Sequence, residues 1–166
     1  LYVDGTPNGY MAVEVKGDNV EWYYKSIGRE RDYQIRGYSP TRTGDGYVKA
    51  CIWNYSKDFW SAPEWWENGK KVATLEQHKE EDLDALAINK AVAPLVAKAD
   101  PSVTWTSSKG KVHDYTKPNK SNKMFRIKPS EGVRSGEIRV TDNFGKTYTC
   151  KVEWKNRGWT IKILKI

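Results

Sequence analysis

The residues of this sequence that could carry out metal chemistry are few and far apart. Of its two histidines, neither His78 nor His113 belongs to an H-E-x-x-H motif or to a set of cysteines at metal-ligand spacing. His113 precedes Asp114 and could supply half of a site, although a histidine on a surface loop beside an aspartate is more often only solvated. We therefore expect no metal ligand and no cofactor in this chain.

Residues that could act as nucleophiles also lack the partners they would need. No serine lies in a G-x-S-x-G turn, and no glycine-rich motif of the phosphate-binding or dinucleotide-binding type occurs. Cys51 and Cys150 each fall in a predicted strand with no histidine nearby in sequence. They either form a disulfide or remain buried free thiols, and we favour free thiols slightly. We expect no catalytic residue in this chain.

Two carboxylates, Glu64 and Glu67, flank the dipeptide Trp65-Trp66. Such a pair suggests a glycosidase, because these enzymes place two carboxylates beside aromatic rings that stack on sugars. In a strand, however, alternation sends Glu64 and Trp66 to one face and Trp65 and Glu67 to the other. The alternation favours an exposed strand edge over a catalytic pair.

Aromatic residues are concentrated in one short stretch and are the best local indication of a binding surface. Aromatic faces of this kind bind carbohydrate rings, flat apolar ligands or partner proteins. The alternative is that a β-sandwich needs large side chains in its core, and Trp53, which shares a strand face with Cys51, favours that reading. The candidate binding residues are Tyr55, Phe59, Trp60, Trp65 and Trp66.

Composition indicates one folded domain rather than a loose chain. The 166 residues are enough to bury a core, and eight Trp and ten Tyr supply the large side chains that disordered segments lack. No run approaches the roughly 20 apolar residues of a membrane-spanning helix, and no signal peptide is visible. We expect a soluble module comprising residues 1–166, without a transmembrane segment.

The net charge of +7 is unevenly distributed. Residues 1–100 carry a net charge of −3, whereas residues 101–166 carry +10. Such an excess can mark a surface that faces an anionic lipid, a phosphorylated substrate or a nucleic acid, but lysines scattered over a solvated β-sheet give the same count. Because no dense Lys/Arg run occurs, we favour scattered charges and expect no nucleic-acid partner.

The elements that must position these residues are mainly short strands separated by turn signals. Asn68-Gly69 is the strongest of these signals, because it suits a type I′ hairpin turn. A helix is predicted over Lys79–Ala97, with acidic residues at its start and Pro94 ending or kinking it, and a surface loop over Ser107–Ser121. The predicted strands are Tyr10–Lys16, Val20–Ser26, Asp32–Tyr38, Tyr47–Tyr55, Pro63–Glu67, Lys70–Leu75, Val103–Thr106, Lys123–Lys128, Gly136–Thr141 and Tyr148–Trp154.

This pattern predicts a mainly all-β fold, an antiparallel β-sandwich with one inserted helical segment around residues 80–97. We expect a single domain in which residues 76–122 form a variable insertion of helix and loop. The pattern alone names no substrate.

Several segments together resemble a known family. They are similar to the C-terminal domain of calcineurin-like metallophosphoesterases of bacteria of the Bacteroidetes type, and residues 76–122 match least. A Y-K-x-x-G-x-x-x-D-Y-Q-x-R run begins at Tyr24, and an R-V-T-D-x-F-G-x-x-Y hairpin begins at Arg139. The matching segments are DGTPNGYMAVEV, YYKSIGRERDYQIRGYSP, VKACIWNYSKDFWSAPEWWENGK and MFRIKPSEGVRSGEIRVTDNFGKTYTCKVEW.

The resemblance implies a non-catalytic accessory domain. In such proteins the module follows a dinuclear-metal phosphoesterase domain, whose D-x-H, G-D-x-x-D, G-N-H-[DE] and G-H-x-H motifs do not occur here, so no catalytic residue carries over. The resemblance also implies that the parent is exported, as a periplasmic or cell-surface lipoprotein, and that its N-terminal part is missing from this chain. The implied role is to pack on the catalytic domain or to help present a phosphorylated substrate.

Two further expectations accompany the resemblance. The alternative function is an independent module that binds carbohydrate or a cell-surface polymer through Trp60, Trp65 and Trp66. If Asp4–Tyr10 is a junction between domains, it should lie at the surface with few contacts to the sandwich core, and Tyr10 should begin the first paired strand.

Overall fold

The computed structural model describes residues 1–2, 4–99, 104–110, 112–114 and 120–155. Within these residues, strands dominate and helices are few. The elements in chain order are β1 (Gly9–Lys16), β2 (Asn19–Ser26), β3 (Ile35–Tyr38), α1 (Pro40–Thr43), β4 (Val48–Ile52), β5 (Glu64–Glu67), β6 (Lys70–Thr74), β7 (Glu76–Gln77), α2 (Leu83–Ala99), β8 (Thr104–Thr106), β9 (Val112–Asp114), β10 (Met124–Ile127), β11 (Ser135–Thr141) and β12 (Thr147–Glu153).

Two antiparallel sheets of four strands form the body of the fold in a sandwich-like arrangement. The first sheet has the strand order β3-β4-β10-β7, and the second has the order β12-β11-β5-β6. Two hairpins, β1–β2 and β8–β9, are additional two-stranded sheets. The predicted fold class, mainly antiparallel β with an inserted helix, is confirmed.

Local sequence explains the hairpin between β5 and β6. Asn68 and Gly69 adopt φ values of 51° and 76°, the positive values that a type I′ turn requires at both central positions. The register between the two strands shifts at Trp65/Trp66, which is a β-bulge or a similar irregularity. The predicted hairpin turn at Asn68-Gly69 is confirmed.

The main core lies between the two sheets. Strands β3 and β12 approach each other so closely that a Cβ atom on Gly37 would lie 2.6 Å from Cγ2 of Val152. Only a glycine permits this approach, so Gly37 brings the sheets together at their edges. The buried residues of this core are Ile35, Val48, Ala50, Ile52, Trp60, Trp65, Leu75, Phe125, Ile138, Val140, Tyr148 and Val152.

The first sheet is covered on its other face as well, so every residue of β4 is buried. A second cluster there contains Cys51, Trp53, Tyr38 and Met124. Cys150 packs instead against the core between the sheets, and both cysteines are free thiols. Their side chains lie in different layers, which explains why they do not pair. Burial, followed by the negative charge of Asp82, raises the pKa of the Cys51 thiol.

The segment Asp4–Pro7 covers part of this second face, which corrects the expectation of a surface junction with few contacts. Thr6 is buried, the carbonyl of Gly5 accepts a hydrogen bond from Arg36 at 3.1 Å, and Asp4 forms an ion pair with Lys123. Gly5 has φ +86°, and a Cβ there would meet the carboxyl group of Asp82. The glycine that suggested a loose turn instead permits close packing. The first paired strand begins at Gly9.

Replacing Asp4 with asparagine is expected to lower the free energy of unfolding at pH 7 by about 1 kcal/mol, because the partly buried ion pair to Lys123 is lost. Burial raises the pKa of Asp4, but hydrogen bonds from Lys123 and Thr6 outweigh this effect and lower it. Because the pKa of this carboxyl group is lower in the folded chain than its unfolded-state value of about 3.9, the charged carboxylate stabilises the fold above that pH. The stabilisation is lost as the pH falls from there through the folded-state pKa.

Urea unfolding at pH 7 and pH 3 measures this effect directly. The stability difference between the original chain and Asp4→Asn should shrink at the lower pH. A difference that stays constant would show that Asp4 acts through packing and not through its charge.

The insertion differs from its prediction in two details. Helix α2 begins at Leu83 and extends past position 94 to Ala99, so Pro94 does not end it. A proline removes one backbone hydrogen bond from a helix but does not oblige the helix to stop. The predicted loop Ser107–Ser121 contains strand β9, which pairs with β8 after a turn with Gly110 at φ +75°.

Candidate functional site

The aromatic residues predicted to form one binding surface are divided between the core and the outside. Trp65 is completely buried and Trp60 is 6% exposed. Tyr55 and Phe59 are half-buried against the same core, whereas Trp66 lies half-buried on the outer face of the second sheet. Trp65 therefore does not contribute to an exposed binding surface, because sheet alternation turns it inward, and Trp60 packs in the same core.

Glu64 and Glu67 lie on opposite faces of β5, as the alternation predicts. Glu67 is buried, and its Oε1 accepts hydrogen bonds from Trp65 Nε1 at 2.8 Å and from the backbone N–H of Ser130 at 2.9 Å. Burial raises the pKa of Glu67, but these hydrogen bonds outweigh it and lower that pKa. A glycosidase needs two carboxylates facing one site, one of them with a raised pKa, and this pair meets neither condition.

On the outer face of the second sheet, Trp66 belongs to a polar groove of about 250 Å³. The guanidinium of Arg139 covers the Trp66 ring at 3.9 Å from its centroid and also pairs with Glu137 at 2.9 Å. Glu64, which does not line the groove, pairs with Lys71 at 2.8 Å, and this hydrogen bond lowers the pKa of Glu64. The groove combines an aromatic ring with charged groups of both signs, so it suits a polar ligand. Its lining also includes Asn68, Gly69, Ser135, Gly136, Lys151 and Glu153.

A second cavity, of about 190 Å³, lies between the β1–β2 hairpin and the sandwich, and it is mainly apolar. The Trp22 ring reaches across from the hairpin and contacts Phe144 edge-on, with centroids 4.8 Å apart. Sequence reasoning did not single out this site, although Met11 and Trp22 fall on one alternating face of the predicted hairpin. The lining residues are Met11, Trp22, Tyr23, Tyr24, Gln34, Trp53, Asn54, Phe59 and Trp60.

The same hairpin carries an exposed apolar face beside this cavity. Three cross-strand pairs form it, and Val13 and Val15 are 61% and 67% exposed. The opposite face is charged, because Arg31 lies 3.9 Å from Glu14 and 3.7 Å from Glu21. We call the apolar face the hairpin face. Its cross-strand pairs are Met11 with Tyr24, Val13 with Trp22, and Val15 with Val20.

Metal binding was the other chemistry considered. In the part of the chain that the structure describes, no three or more His, Cys, Asp or Glu side chains are grouped so that they could hold a metal ion. His78 is half-buried and donates its backbone N–H to the carbonyl of Met124, whereas the side chain of His113 lies outside the described part. None of the described helices is long and apolar enough to cross a membrane.

Comparison with known proteins identifies a family. The model of the family described as the C terminal of calcineurin-like phosphoesterase matches residues 1–148, which is most of the chain. No curated protein and no solved structure matches significantly.

Proposed function

The chain belongs to the family of C-terminal domains of calcineurin-like phosphoesterases, and from this premise we propose that it is the non-catalytic accessory domain of such an enzyme. Its role in this proposal is to pack on the catalytic domain of the parent and to help present a phosphorylated substrate. The observation that carries the proposal is the match of the family model over residues 1–148.

The chemistry of the described side chains agrees with a non-catalytic role. A dinuclear metal centre needs several His and carboxylate ligands that converge on one place, and the described residues offer no such group. In this proposal any dinuclear metal centre of the parent would be held by the catalytic domain and not by the described residues of this chain.

The proposal is tested by assaying the chain alone and the complete parent protein side by side. With p-nitrophenyl phosphate and bis-p-nitrophenyl phosphate in the presence of Mn²⁺, the chain alone should not exceed the buffer rate, whereas the parent should turn over at least one of the two. Metal-dependent turnover by the chain alone that persists through further purification would overturn the non-catalytic assignment.

A second candidate function is carbohydrate binding at the groove around Trp66. The observation in its favour is a half-buried aromatic ring beside charged and amide groups, a combination that binds sugars. Because Arg139 covers that ring, a sugar would have to displace the guanidinium. A glycan array should then show binding that Trp66→Ala abolishes and Arg139→Ala strengthens, and an array without signal would exclude this function.

A further part of the proposal concerns the basic excess of residues 101–166, which would attract a phosphorylated or anionic-lipid substrate. Several of the basic residues are already neutralised, because Lys123 pairs with Asp4, Arg126 with Glu76, and Lys146 with Asp32. Electrostatic attraction predicts that the association rate of substrate with the parent enzyme falls as salt is added. A rate that does not change with salt would remove this role.

A further inference from the structure

The hairpin face packs on the sandwich through Trp22 and Tyr24, but its outer part is an exposed apolar surface. Val13, Val15 and Val20 are 61%, 67% and 47% exposed, and each belongs to a cross-strand pair without a charged residue. Exposed valines in such a continuous row are unusual for a free surface and are typical of one that contacts another protein. Arg31 and its two glutamate partners lie on the opposite face, so the charged and apolar sides of the hairpin are separated.

The cavity at the base of the hairpin face is mainly apolar. Gln34, one of its lining residues, is 1% exposed, and its Nε2 donates to the carbonyls of Tyr24 and Arg31, both at 2.7 Å. Its Oε1 has no partner among the described residues, but it is shielded from solvent and so is not offered to a ligand in the cavity. A volume of about 190 Å³ suits one aromatic side chain.

The position of the hairpin indicates which protein would cover it. In a C-terminal domain the chain arrives from the preceding domain at its N-terminal side, and the segment Asp4–Pro7 is fixed there beside β2. Tyr24 of β2 donates its hydroxyl to the carbonyl of Pro7 at 2.6 Å, while Leu1 and Tyr2 are exposed. In the proposed architecture the preceding chain would enter next to the hairpin face, and the occupant to which we commit is the catalytic domain.

We propose that the catalytic domain of the parent phosphoesterase docks on the hairpin face and inserts one aromatic side chain into the apolar cavity beside it. This inference rests on the proposed function, because it names the surface through which the accessory domain packs. Such a buried aromatic anchor surrounded by apolar contacts is the usual centre of a protein interface.

Photo-crosslinking in the complete parent protein tests the docking surface. The crosslinking amino acid p-benzoylphenylalanine replaces Val13 in one variant and Val72 in a matched control. Val72 is a 47% exposed valine on β6, in the second sheet. After irradiation, mass spectrometry should find peptides of the catalytic domain attached at position 13 and none at position 72.

The other outcomes separate the docking surface from the proposed function. Adducts with the catalytic domain from position 72 but not from position 13 would show that the hairpin face is not the docking surface, although the two domains still pack together. Adducts from position 13 to a second copy would show that the face is a dimer contact. Two domains that give no adduct at either position and tumble independently in solution would overturn packing itself.

The cavity is tested on the chain alone with toluene, which has the shape of an apolar aromatic side chain. Toluene is expected to shift the indole resonances of Trp22 and Trp53 in NMR spectra, because both rings line the cavity. No shift at either tryptophan would exclude an aromatic side chain from this cavity.

Discussion

Replacing Trp65 with alanine is expected to lower the free energy of unfolding by about 3–5 kcal/mol, the range observed when a buried tryptophan is truncated. Trp65 is completely buried between the sheets, and its ring stacks on Trp154 with centroids 6.4 Å apart. The change leaves a large cavity and removes the indole N–H that donates to the buried carboxylate of Glu67. Because domains of this kind are stable by only about 5–15 kcal/mol, the variant should lie close to its unfolding transition.

The matched control is Trp66→Ala, which removes the same side chain from the adjacent position of the same strand. Trp66 is half-buried on the outer face, and its loss should cost about 1 kcal/mol or less. Urea unfolding of both variants, followed by far-UV circular dichroism, gives the comparison. If Trp65→Ala does not fold, Trp65→Phe keeps part of the packing and should fall between the two. Equal losses at positions 65 and 66 would contradict the placement of Trp65 in the core.

Sequence patterns predicted the elements in which local signals agree with the fold. Asn68-Gly69 set the turn between β5 and β6, and strict alternation placed Glu64 and Trp66 opposite Trp65 and Glu67. Alternation is a property of the extended backbone itself, so it needs no knowledge of distant residues. The fold class could be predicted for the same reason, because it depends on many such local signals together.

The candidate site was less predictable because long-range contacts decide which aromatic residues are covered. Trp60 lies outside the named strands, and its burial depends on a bridge to Asp142, far along the chain. The segment Asp4–Pro7 has the composition of a loose turn, yet Asp4 pairs with Lys123 and Gly5 packs against Asp82. No local pattern contains these partners, and so the junction was predicted at the surface.

The hairpin face shows the opposite situation, in which the local pattern was visible but its meaning depended on the fold. Met11, Val13 and Val15 alternate with Ala12 and Glu14, which is typical of a strand with one buried face. The structure leaves that face open, with Val13 and Val15 more than half exposed. A pattern that normally indicates a core therefore belongs, in this domain, to an exposed surface, which is the surface proposed above for docking.

Asp82→Ala is the second substitution with a large expected effect. It should lower the free energy of unfolding by about 3–5 kcal/mol, because it removes the negative partner of buried groups. Asp82 is completely buried and accepts a hydrogen bond from the Tyr38 hydroxyl at 2.6 Å, while Arg36 Nη1 lies 3.5 Å away. Oδ1, the oxygen that faces Arg36, also accepts the backbone N–H of Ala85 at 2.9 Å, so that Asp82 caps the first turn of α2. Alanine leaves all three groups without this acceptor.

The matched control is Asp84→Ala, since Asp84 also pairs with Arg36, at 3.0 Å, but is 36% exposed. Solvent screening limits that pair, so its loss should cost about 1 kcal/mol or less. Burial, and after it the negative charge of Asp82, raises the pKa of Tyr38. The neutral hydroxyl therefore stabilises the fold below the unfolded-state pKa of about 10, and this stabilisation is lost as the pH rises above it. Ultraviolet titration should show that Asp82→Ala lowers the pKa of Tyr38 and that Asp84→Ala does not. Equal effects of the two substitutions on the free energy of unfolding and on the titration would contradict a buried role for Asp82.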